Sequence, residues 1–158
     1  MGLVDRFVRR LAGLAPADSM TGAPGVSGDV QKECLSKGYK LIHALLLEEG
    51  SFPPFGNGIT RAGEIKVCLP EDGHPETVTE WLCKGCAEGR FLEVYLWCMV
   101  DYWPEEAPSA KGRAMAVYID HPGKRGTCRV IFTPYVIEGG NLSVGRADIR
   151  ESEDRVLK

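Results

Sequence analysis

The sequence predicts an α+β fold: a two-layer sandwich of two helices packed on a mainly antiparallel sheet, with a C-terminal four-strand meander and a flexible N-terminal arm. Three observations carry this. Two segments in the first half place apolar residues at helical spacing. Four runs in the second half alternate with a period of two. Short turn-forming clusters separate those runs, which makes successive strands antiparallel.

The chain has 158 residues, 44% of them hydrophobic, which suits one globular domain. Its net charge is −3. Residues 1–26 hold three arginines against two aspartates, so the acidity belongs to the remainder. An acidic body disfavours non-specific nucleic-acid binding, which requires neutralising phosphates. No apolar run reaches the ~20 residues of a membrane-spanning helix. Charges recur too often near the start for a secretory signal, so the six cysteines are expected as reduced thiols in a cytoplasmic, bacterial-type protein.

The first element is an amphipathic helical segment, residues 1–14. Leu3, Val4, Phe7, Val8, Leu11 and Leu14 share one side, and Arg6, Arg9 and Arg10 the other with Asp5. Residues 15–26, rich in Ala, Pro and Gly, read as a flexible linker. Together they suggest weak attachment to an anionic membrane surface or a partner groove.

Residues 27–150 read as the single α+β domain. A helix capped by Ser27 or Asp29 runs to about Glu49 and stops at Gly50. Its stripe is Val30, Cys34, Gly38, Leu41 and Leu45, widened by Tyr39, Ile42, Leu46 and Leu47. Pro and Gly make 51–58 a turn, with Phe52 and Phe55 plugging the core edge. Ile65, Val67 and Leu69 alternate with polar partners as a half-buried strand. A turn at 71–73 leads to a second helix opened by Pro75, with Val78, Trp81, Leu82, Gly85 and Cys86 on one face, stopping at Gly89.

The remainder is strand. Leu92, Val94, Leu96, Cys98 and Val100 form an apolar face, expected to lie under both helices, and Glu93, Tyr95, Trp97, Met99 and Asp101 form a mixed face. Strands follow at 113–121, 127–137 and, more weakly, 142–149, joined by turns at 122–126 and 138–141. Residues 151–158 read as a charged, frayed tail.

Candidate chemistry is sparse. The pair Cys83–Cys86 has redox spacing, but near the C-terminal end of a helix the dipole raises thiol pKa rather than lowering it. With Cys68 and His74 the same pair makes a weak zinc set whose spacing matches no common finger. His121 follows Asp120 on a strand, so the two point to opposite faces. Glu93, Tyr95, Trp97, Met99 and Asp101 could line a ligand or partner face. With no catalytic set assembled and no cofactor expected, the leading reading is a non-catalytic protein-interaction module of the regulator, adaptor or toxin-neutralising type. The alternatives are a ligand-binding domain or enzyme using Glu93, Tyr95, Trp97 and Asp101, and a zinc- or thiol-dependent protein using Cys83 and Cys86.

Overall fold

The computed structural model describes residues 23–103 and 112–157 of the chain. Helix α1 (Gly28–Glu49) begins and ends at its sequence signals. The Ser27 hydroxyl accepts the Val30 N–H at 3.3 Å, and Gly50 closes the helix at φ 75°, a left-handed conformation that favours glycine. Its buried side comprises Gln31, Cys34, Leu35, Tyr39, Ile42 and Leu46. That side is turned slightly from the expected stripe, leaving Leu41 and Leu45 half-buried and Leu47 exposed.

The segment expected as a turn over 51–58 already contains a strand. β1 (Phe55–Thr60) pairs antiparallel with β2 (Ile65–Cys68) across a four-residue connection in which Gly63 takes φ 81°. Glycine weakens strands, which is why β1 is hidden in the sequence. Here glycine is required by packing. A Cβ on Gly56 would lie 2.6 Å from Val78, and one on Gly58 would lie 2.5 Å from the Phe91 ring.

Helix α2 (Pro75–Ala87) opens with proline, and the Asp72 carboxylate accepts the His74 N–H and the Thr77 hydroxyl beside it. Then come β3 (Phe91–Tyr102), β4 (Gly112–Asp120), β5 (Cys128–Glu138), β6 (Asn141–Val144) and β7 (Asp148–Ser152). The seven strands form one sheet, with every pairing antiparallel, in the order β2-β1-β3-β4-β5; β6 and β7 both lie on the outer side of β5. The expected last strand is thus split in two. Between the Tyr135–Val144 and Phe132–Asp148 pairs, β5 advances three residues while the outer strand advances four, the signature of a bulge. Pro134, with no N–H to give the ladder, sits at that break and accepts the Gly145 N–H at 2.7 Å.

The α+β class, the two helices on an antiparallel sheet and the meander β3-β4-β5-β6 hold. The helices, however, cover opposite faces rather than one. Alternation along β3 sends Tyr95 and Trp97 towards α1, and Val94 and Leu96 towards α2.

Two segments expected to be loose are packed. In the linker, residues 23–26 make a turn, with Ala23 buried and its N–H donated to Glu93. Residues 1–14 and 15–22, where the attachment helix is expected, lie outside the described residues. At the other end, the tail is latched to Asp120, which is fully buried. Its carboxylate takes Arg155 Nη2 at 2.6 Å, Arg155 Nε at 3.2 Å and the Leu157 N–H at 3.1 Å. Val156 is thereby buried among Val78, Leu82, Phe91 and Val94.

Breaking a buried ion pair costs about 3–5 kcal/mol, and Arg155 can relax partly into solvent, so Asp120→Ala should sit near the lower end, at about 3 kcal/mol. Urea denaturation of this variant, beside a chain ending at Ser152, checks the latch. Both should lose stability, whereas a frayed tail would leave the truncated chain unchanged.

Candidate functional site

The mixed face of β3 is the first candidate, and α1 closes it. Glu93 is 1% exposed, and Tyr95 and Trp97 are wholly buried. The Glu93 carboxylate accepts the Ala23 N–H at 2.8 Å, Gln31 Nε2 at 3.0 Å and the Tyr95 hydroxyl. Burial first, then the charge of Glu93, pushes the Tyr95 hydroxyl well above its ordinary range, so it remains a donor. Burial likewise raises the neighbouring Cys34 thiol far from any nucleophilic range.

Trp97 donates its indole N–H to Asn57 Oδ1 at 2.8 Å, stacks on Phe55 at 5.6 Å and meets Tyr39 edge-on at 5.1 Å. Met99 is half-buried and receives the Tyr135 hydroxyl on its sulfur, while Asp101 is exposed opposite Arg113. The expected ligand face is therefore mostly core. Period two says which side chains share a face; it does not say which face a helix will cover.

The cysteine and histidine candidates do not converge. Cys68 ends β2, His74 precedes α2, and Cys83 and Cys86 lie in the last turns of α2. Among the described residues no three His, Cys, Asp or Glu side chains are placed to share a metal ion. Burial, then Cys83 and Asp120, pushes the Cys86 thiol up to about 11, opposite to the shift a redox nucleophile needs. Asp120 and His121 diverge as alternation requires: Asp120 holds Arg155 on the α2 side. Burial lowers the His121 pKa, although Glu93 and Asp120 pull it the other way.

A site the sequence did not reveal lies along β2. This strand is the first in the sheet, and among the described residues nothing pairs with its outer side. Thr60 N–H donates to the Glu64 carbonyl at 2.9 Å, and hydrogen-bonded pairs alternate in an antiparallel ladder. Glu64 and Lys66 therefore turn their backbone groups towards β1, and Ile65 and Val67 turn theirs outward. Beside this edge, on the α2 side, runs a groove of about 700 Å³. Phe91 and Trp81 form its apolar part, with ring centroids 4.8 Å apart, and Arg61, Lys66 and Arg90 stand around it with Glu64. On the other side of the strand Val67 is 59% exposed, and Leu69 beyond it 50%.

The strand 65–69 was legible, and Trp81 was legible as a helix-face residue. That Val67 and Leu69 stay outside was not, because nothing local says that β2 is an edge. Compared with known proteins, the chain matches no family model, no curated protein and no solved structure.

The thiols give a direct check. Burial pushes Cys86 and Cys98 up to about 11, so only about one in a thousand of either is thiolate at pH 8. With iodoacetamide at pH 8, Cys34, Cys86 and Cys98 should remain unmodified by peptide mass mapping, and should be alkylated once urea unfolds the chain. Rapid labelling of Cys86 in the folded protein would contradict the assigned burial and reopen the redox reading.

Proposed function

We propose that this chain is a non-catalytic protein-interaction module, of the regulator, adaptor or toxin-neutralising kind, that receives its partner at the β2 edge. The observation that carries the reading is the juxtaposition of an open backbone edge with an apolar groove walled by Trp81 and floored by Phe91. Open edges with exposed apolar side chains are templates for pairing with another chain. The competing use of Glu93, Tyr95, Trp97 and Asp101 for a ligand would require α1 to lift from the sheet. We keep within this proposal a cytoplasmic setting and a weak attachment of residues 1–14 to an anionic membrane or a second partner surface.

The test is differential capture from the native cell. Tagged full-length protein should retain a defined protein that Val67→Asp and Trp81→Ala both lose, while Leu47→Asp, at the exposed end of α1, keeps it. Far-UV circular dichroism verifies that each variant is folded. Capture that is indifferent to Val67 and Trp81 would overturn the reading.

A further inference from the structure

Resting on that reading of the β2 edge, we propose its occupant: an extended acidic segment of a partner protein, with acidic and apolar residues in alternation, that adds to the sheet as one more strand. The backbone sets the mode. Ile65 and Val67 each present an outward N–H and C=O, so a peptide lying alongside finds two residues' worth of ladder positions with no rearrangement of the sheet.

Alternation then divides the peptide's side chains. Those on the α1 side extend the row of Ile65 and Val67, of which Val67 stands largely in solvent, and they must be apolar. Those on the α2 side enter the groove. Its lining carries Arg61, Lys66 and Arg90 against Glu64, with Glu88 beside Arg90, a local excess of one positive charge in a chain whose net charge is −3. Lys66 pairs with Glu64 at 2.9 Å and Arg90 with Glu88 at 2.9 Å, whereas Arg61 has no ion pair among the described residues. A glutamate fits this mixture: its methylenes lie on Trp81 and Phe91 while its carboxylate reaches the cations.

The same charge separates this occupant from two others. A second copy paired antiparallel about Ile65 would only re-match Lys66 with Glu64 and leave Arg61 opposite Leu69, and one paired about Lys66 would set that lysine against its counterpart. The chain's own residues 1–14 would bring Arg6, Arg9 and Arg10 to a surface that is already positive. An acidic strand brings new carboxylates to the Arg61, Lys66 and Arg90 side of the edge.

The experiment uses the full-length protein and a short fluorescent peptide of alternating glutamate and valine, followed by anisotropy. Three exposed cations contribute modestly each, so the lysine-for-glutamate counterpart should bind about tenfold more weakly or worse. High salt should weaken the acidic peptide. Methylating the backbone nitrogens that face the edge should abolish binding, and Lys66→Glu should reverse the preference between the two peptides. Equal binding of both peptides, or binding that survives backbone methylation, would overturn the proposal. So would sedimentation showing a dimer that dissociates on Lys66→Glu, which would make the occupant a second copy. Should Val67→Asp abolish partner capture while the acidic peptide fails to bind, the occupant's chemistry is wrong and the docking edge stands. Should capture ignore Val67 altogether, the docking edge itself fails.

Discussion

The indole N–H of Trp97 donates to the Asn57 side chain, and the Asn57 amide in turn reaches the Lys66 carbonyl at 3.3 Å. This chain of hydrogen bonds, buried at the indole and half-buried at the Lys66 carbonyl, ties the central strand β3 to β1 and β1 to the edge strand β2. The indole is also the surface on which α1 sits, through Tyr39 on its edge and Gly38 over its ring. Loss of either polar partner would strand a buried donor or acceptor, at about 1–3 kcal/mol each. The joint therefore fixes two things together: the helix over the front face, and the hairpin whose far edge stays open.

The reverse face follows the same packing logic with other residues. Phe91 takes the role of Trp97, and the backbone approaches it at two glycines: a Cβ on Gly85 of α2 would lie 2.2 Å from the ring, and one on Gly58 of β1 2.5 Å. Large rings facing glycines let helix and strand come closer than any side chain would allow. Trp81, leaning on the outer part of Phe91, is left half-buried where α2 ends its contact with β1, and the groove begins there. The groove is thus a consequence of how far α2 reaches across the sheet.

Local chemistry was legible in the sequence wherever a residue type dictates a backbone state. Ser27 and Gly50 bound α1, Pro75 opens α2, and Gly139 and Gly140, both at positive φ, make the turn into β6. What escaped depends on partners distant in the chain. β1 escaped because its glycines are selected by Val78 and Phe91. The latch of the tail escaped because Asp120 and Arg155 are 35 residues apart. The mixed face of β3 read as a ligand or partner face because Glu93, Tyr95 and Trp97 carry polar atoms, yet their partners Gln31 and Asn57 lie 62 and 40 residues away. Of the candidate site, the β2 strand and Trp81 could be read locally, while the openness of the edge is a property of the whole sheet.

Gly38→Ala tests the central joint by the sign of one number. In a helix position free of tertiary contact, alanine for glycine stabilises by about 1 kcal/mol. Here the new Cβ would lie 2.2 Å from the Trp97 ring, so α1 or the indole must shift. Overpacking of this kind costs about 1–3 kcal/mol. Equilibrium urea denaturation followed by tryptophan fluorescence should show that loss, with an altered native emission. A gain in stability with unchanged emission would mean that α1 does not rest on Trp97, and would contradict the packing on which the front face and the hairpin edge are built.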